Sequence, residues 1–81
     1  MDLNEAKQLF EEIVELVYET ENPRLIETVE SIYPEVKDAV DLNRVIMSCE
    51  ELQVAINETD ILPVEEDNVQ EVQDKIELMS E

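Results

Sequence analysis

Glycine, histidine and tryptophan are absent from this 81-residue chain, cysteine occurs once, and only 5 residues are lysine or arginine. Each absence removes a class of structure or chemistry. Phosphate-cradling loops, dinucleotide fingerprints, EF-hand loops and tight two-residue hairpins use backbone conformations that glycine supplies, so none is present in standard form. One thiol cannot form an internal disulfide, and without histidine it cannot complete a structural zinc site. The carboxylate–histidine sets of di-iron and di-manganese bundles are excluded for the same reason.

Positive charge is the other shortage. Against 5 basic residues stand 23 aspartates and glutamates, a formal net charge of −18. A field of that sign repels phosphates over a Debye length, which argues against direct binding to nucleic acid or to an anionic membrane. Long apolar runs are missing too. No stretch approaches the roughly 20 residues that cross a bilayer. The segment MDLNEAKQLF carries charge where a signal peptide needs an apolar run. These readings predict a soluble, cytoplasmic protein with cationic partners, no membrane contact and no cofactor.

High net charge with few aromatics is a mark of disorder, yet 43% of the residues are hydrophobic and they recur with helical spacing. That periodicity predicts a folded, all-α domain over residues 1–81, with frayed ends and four helices in a small bundle-like arrangement. Its strongest stripe runs through DLNRVIMSCEELQVAIN, from Asp41 to Asn57. Leu42, Val45, Ile46, Cys49, Leu52 and Ile56 share one face at i, i+3, i+4 and i+7, which predicts a central third helix with those residues in the core. Asp41 is placed to cap its N-terminus.

Three weaker patterns surround this one. The first helix is expected from about Leu3 to Glu19, capped by Asp2, with Ala6, Leu9, Phe10, Ile13, Leu16 and Val17 inward. Asn22 and Pro23 read as the cap and first position of the second helix, which carries Leu25, Val29, Ile32 and Val36 inward, with Ile26 and Tyr33 on its flank. Pro34 removes a backbone donor and disfavours helix at Tyr33, so this helix is expected to end near Ile32, with PEVKDAV forming a separate short turn. The fourth helix begins between Pro63 and Asn68, buries Val69, Val72, Ile76 and Met79, and places Glu65, Glu66 and Asp67 in its first turn.

Carboxylates are the most abundant reactive groups. Glu11, Glu12 and Glu15 form an EExxE run on the first helix, and Glu71 with Asp74 forms an ExxD on the fourth. The pair resembles the EExxE and ExxD motifs of the all-α nucleotide pyrophosphohydrolases of the MazG type. The resemblance implies a divalent cation held between two helices and hydrolysis of a nucleoside triphosphate. The sequence departs from that pattern in two ways: the motifs are separated by two whole helices, and no cluster of Lys, Arg or Asn accompanies them. Solvated helix faces account for the runs, and we expect no enzymatic activity and no metal site. Cys49 has no base beside it in the sequence and lies on the apolar stripe, so it reads as a small buried hydrophobe.

The acidic surface is the remaining functional signal. Glu11, Glu12, Glu15 and Glu19 stack on the outer side of the first helix, where each like-charged i, i+4 pair costs about 0.2–0.5 kcal/mol. Surfaces built only for solubility usually mix signs. We therefore expect a non-enzymatic interaction module or inhibitor that docks this face on a basic protein surface, most sharply a nucleic-acid-binding protein whose site it occupies as a mimic. Two alternatives stay open. Adaptation to high salt needs no partner at all. Heptad-like spacing, with Leu42, Cys49 and Ile56 at one position and Val45 and Leu52 at the other, would suit an assembly subunit that forms a homo-oligomer through an apolar seam.

Overall fold

Short polar side chains set the start of the first three helices. In the computed structural model, which describes residues 1–80, α1 spans Leu3–Thr20, α2 Pro23–Lys37, α3 Leu42–Glu58 and α4 Glu66–Ser80, with a 3₁₀ turn at Pro63–Glu65 before α4. Glu81, the last residue of the expected domain, lies outside the described residues. Asp2 Oδ1 accepts from the Glu5 N–H at 2.8 Å and Asp41 Oδ1 from the Arg44 N–H at 2.9 Å. Asn22 Oδ1 accepts from the N–H groups of Arg24 and Leu25, beside Pro23 at the first helical position. Each cap satisfies donors that a helix start leaves free.

The four helices run up, down, up, down. The two most extensive seams are α2 on α3 and α1 on α4. The third helix touches all three others, as a central helix must, and α1 does the same, whereas α2 and α4 lie diagonally opposite and barely meet. The core joins Phe10, Ile13 and Val17 of α1, Leu25, Val29, Ile32 and Val36 of α2, Val45, Cys49, Leu52 and Ile56 of α3, and Val69, Val72, Ile76 and Met79 of α4. Among the described residues there is no strand. Helix α4 continues through Ser80, with Met79 buried and its Sδ 3.7 Å from Cys49 Sγ.

Four expectations change. First, α2 does not stop at Ile32 but passes through Pro34 to Lys37. Pro34 and Glu30 are both exposed, so the Glu30 carbonyl that loses its i+4 donor is in water, and continuing the helix buries Val36 one turn beyond Ile32. Second, Leu42 and Ile46 are only half-buried at the rim of the core, and Ser48 and Ala55 are buried instead. Ion pairs from Arg44 to Glu35 and from Glu58 to Arg24 mark the flank of α3 that faces α2, and Ser48 and Ala55 lie on that flank. Small residues there permit close helix approach. They add little to a hydropathy stripe, which is why the stripe pointed elsewhere. Third, Val14 is buried in α1, while Leu9 and Leu16 pack only at its edge.

The fourth change concerns Glu65. It is not on an exposed first turn but 4% exposed, and its Oε2 accepts from Asn22 Nδ2 at 3.2 Å. Asn22 thus spends its oxygen on capping α2 and its amide donor on the turn before α4. This ties the α1–α2 corner to the α3–α4 connection at one end of the bundle. Thr20 completes the corner: its hydroxyl donates to the Val17 carbonyl and accepts from the Asn22 N–H.

The lack of glycine leaves one mark on the backbone. Glu21 ends α1 at φ 57°, ψ 18°, the left-handed position usually given to glycine, and its N–H bonds the Tyr18 carbonyl at 3.1 Å. Glu21→Gly should therefore raise stability by about 0.5–1 kcal/mol, and by more than Glu21→Gln, which removes the same charge without freeing the backbone. Thermal denaturation of the two variants measures the difference; equal melting temperatures would show that the position is unstrained. Leu52, fully buried at the centre of α3, gives the opposite expectation. Leu52→Ala should cost about 2–5 kcal/mol and lower the melting temperature clearly.

Candidate functional site

The acidic side of α1 is not one uniform face. All four of Glu11, Glu12, Glu15 and Glu19 are exposed, but the neighbouring helices divide them. Glu11 leans toward α2, where its Oε1 accepts from the Tyr33 hydroxyl at 2.8 Å. Glu12 leans toward α4, with Oε2 3.8 Å from Lys75 Nζ. Glu19 Oε2 accepts a 3.4 Å bond from Asn68 Nδ2, which also reaches the Leu16 carbonyl. Among the described residues, Glu15 is the one of the four that makes no side-chain hydrogen bond or ion pair. Glu19, in the last turn of α1, and the capping Glu21 face the negative end of the helix dipole, with no basic residue in that turn to offset it, and Glu15 lies one turn before them.

The cations are drawn into the seams. Arg24 pairs with Glu58 at 3.2 Å and Arg44 with Glu35 at 3.8 Å, both between α2 and α3, and Lys75 pairs with Glu12 between α1 and α4. Lys7 Nζ donates to the Lys37 carbonyl at 2.8 Å, which places an ammonium on the C-terminal end of α2 where the dipole favours it. These pairs are solvent-exposed, so each contributes at most about 1 kcal/mol. Their larger effect is to leave the outward crest of α1 without a compensating charge.

Beside that crest lies an open groove of about 410 Å³ between α1 and α2. Val14 and Val29 line its apolar part, Tyr18, Tyr33 and Pro34 its sides, and Glu11 and Glu30 supply carboxylates. Tyr18 is 46% exposed. The Tyr33 ring is partly buried and tilted 45° against Phe10, with centroids 6.0 Å apart. The sequence pattern put Tyr33 on the flank of the second helix, at its expected end. Continuation of α2 through Pro34 puts Tyr33 well inside a helix instead, facing a carboxylate 22 positions away that no local pattern connects to it.

The EExxE and ExxD motifs do not converge. Lys75 occupies the seam beside Glu12, and Asp74 accepts from Gln70 Nε2 along its own helix. Among the described residues, no group of three or more Asp, Glu, Cys or His side chains gathers closely enough to hold a metal ion. Cys49 is buried, and desolvation pushes its thiol up to about 12, away from the thiolate a nucleophile requires. Of the heptad-like seam, Val45, Cys49, Leu52 and Ile56 are buried in the chain's own core, and Leu42 is half-buried at its rim. Among the described residues, no helix is long and apolar enough to cross a membrane.

Comparison with protein-family models, with curated proteins and with solved structures finds no match to this chain. Any functional reading therefore rests on the residues themselves.

The Glu11–Tyr33 contact has a measurable signature. The hydrogen bond to Glu11 and the carboxylate's charge, with smaller effects from burial and Tyr18, hold the Tyr33 phenol neutral and raise its pKa above the ordinary 10.0. The fold favours the protonated form, so this contribution to stability is complete below pH 10 and is lost as pH rises through the folded value. In a Tyr18→Phe background, where Tyr33 is the only phenol, tyrosinate absorbance should titrate above 10.0 and move down toward it in Glu11→Gln. An unchanged midpoint in the double variant would mean that the contact is not formed in solution.

Proposed function

We propose that this protein is a non-enzymatic acidic interaction module that docks the outer side of α1 on a basic protein surface. The carrying observation is the C-terminal part of α1. Glu19 and the capping Glu21 stand at the negative end of a helix dipole, with no basic residue in the last turn, Glu15 lies one turn before them, and among the described residues the one side-chain hydrogen bond any of the three makes is from the neutral Asn68 amide to Glu19. Repulsion of that kind is present in the free protein and is relieved when a cationic surface approaches, so part of the binding free energy comes from removing it. The sharpest form of the reading is a mimic, in which the carboxylates take the places of nucleic-acid phosphates on a nucleic-acid-binding protein.

Charge reversal at Glu15 and Glu19 tests the face without disturbing an ion pair, and lysine is as good a helix former as glutamate. Proteins retained from a lysate by the immobilised chain should bind Glu15→Lys/Glu19→Lys on the order of tenfold more weakly at low salt, mainly through slower association. The control is Glu50→Lys/Glu51→Lys on the exposed side of α3, which makes the same change in net charge. If both pairs of substitutions weaken binding equally, the contact is diffuse and α1 is not the docking face. A retained protein that gives up bound DNA or RNA when the free chain is added meets the mimic reading; one that keeps it does not.

A further inference from the structure

Two features of the α1–α2 groove go beyond a plain acidic surface. The first is its pairing of aromatic rings with carboxylates: Tyr18 and Tyr33 line the same space as Glu11 and Glu30. Tyrosine faces attract cations, and a guanidinium, being planar and weakly hydrated, stacks on them better than an ammonium does. The second is Pro34. It has no N–H, so the Glu30 carbonyl one turn before it loses its i+4 helical donor, and Glu30 and Pro34 both line the groove. Glu11 has given only Oε1 to Tyr33, and the hydroxyl bond fixes that carboxylate in place. The groove thus offers several acceptors in different directions over an apolar floor of Val14 and Val29.

Lys7 and Lys37 line the smaller hollow that continues past Glu11 and Tyr33, which closes that end to a cation. The cation-accepting end is the one between Tyr18 and Glu30. A lysine ammonium brings three donors from one point, whereas arginine carries five in a planar fork suited to separated acceptors.

We propose that the α1–α2 groove receives an arginine side chain of a basic protein partner, with its guanidinium stacked on Tyr18 and hydrogen-bonded to Glu30. The inference rests on the acidic-module reading and narrows it to one pocket and one residue type. It also explains why a helix proline sits at an exposed position beside a tyrosine: the proline creates an acceptor that an uninterrupted helix would have used.

The probes are two capped glycine-rich peptides, one carrying two arginines and the other two lysines. The chain has no tryptophan and its two tyrosines both line the groove, so tyrosine emission reports binding at this site directly. Calorimetry gives the affinities. The arginine peptide should bind saturably, change tyrosine emission and bind more tightly than the lysine peptide. Tyr18→Ala and Glu30→Gln, both at exposed positions, should each weaken it roughly two- to fivefold, the range expected for one cation–aromatic contact near solvent. Glu51→Gln on α3 makes the same charge change as Glu30→Gln and should have no such effect. Salt-sensitive binding that is indifferent to Tyr18→Ala and Glu30→Gln, or weakened equally by Glu51→Gln, overturns the groove and leaves the acidic module standing. Equal affinity for the two peptides overturns the choice of arginine. Absence of salt-sensitive binding to either peptide overturns the groove and the module together.

Discussion

The apolar core must hold together a chain whose surface charges repel one another. With 23 acidic and 5 basic residues, the folded state gathers like charges that the unfolded chain keeps far apart. Nothing covalent offsets this, since Cys49 is the lone thiol. The burden falls on side-chain packing, and the placement of the helices follows from it. The two broadest seams, α2 on α3 and α1 on α4, are also the seams that carry the ion pairs. Cations at seams neutralise carboxylates where helices come closest, which is where repulsion between elements would otherwise be strongest.

Placing cations at seams has a consequence for the surface. Glu11, Glu12, Glu15 and Glu19 are equivalent in sequence, yet among the described residues one is bound to a tyrosine, one faces an ammonium, one touches an amide and one has no such partner. Residual negative potential is therefore concentrated toward the C-terminal part of α1 rather than spread along it. That region adjoins the groove with Tyr18 and Tyr33, so the uncompensated charge and the aromatic surface lie side by side.

Backbone economy shapes the ends of the bundle. Without glycine, a glutamate takes the left-handed position after α1, and one asparagine both caps α2 and reaches across to the buried Glu65. At the other end Lys7 stands on the exposed carbonyl of Lys37. These side-chain bonds do at the corners what tighter turns do in glycine-rich bundles: they fix where one helix stops and the next begins.

The all-α class, the caps Asp2, Asn22 and Asp41, and the burial of Val45, Cys49, Leu52 and Ile56 were all legible in the sequence, because capping and helical periodicity act over a few neighbouring residues and leave a local record. So was the exposure of the α1 carboxylates, since a stripe that buries one side of a helix leaves the other to solvent. Tertiary structure decided what depends on residues far apart in the chain. Pro34 looked like a terminator, yet the helix continues because burying Val36 outweighs one backbone bond lost to water. Ser48 and Ala55 displaced Leu42 and Ile46 from the core because the flank of α3 that meets α2 is set by packing, not by which side chains are largest. Glu65 and Tyr33, read locally as a dipole partner and a flank residue, found Asn22 and Glu11 only when the helices came together, and no spacing within a single helix encodes a contact between two.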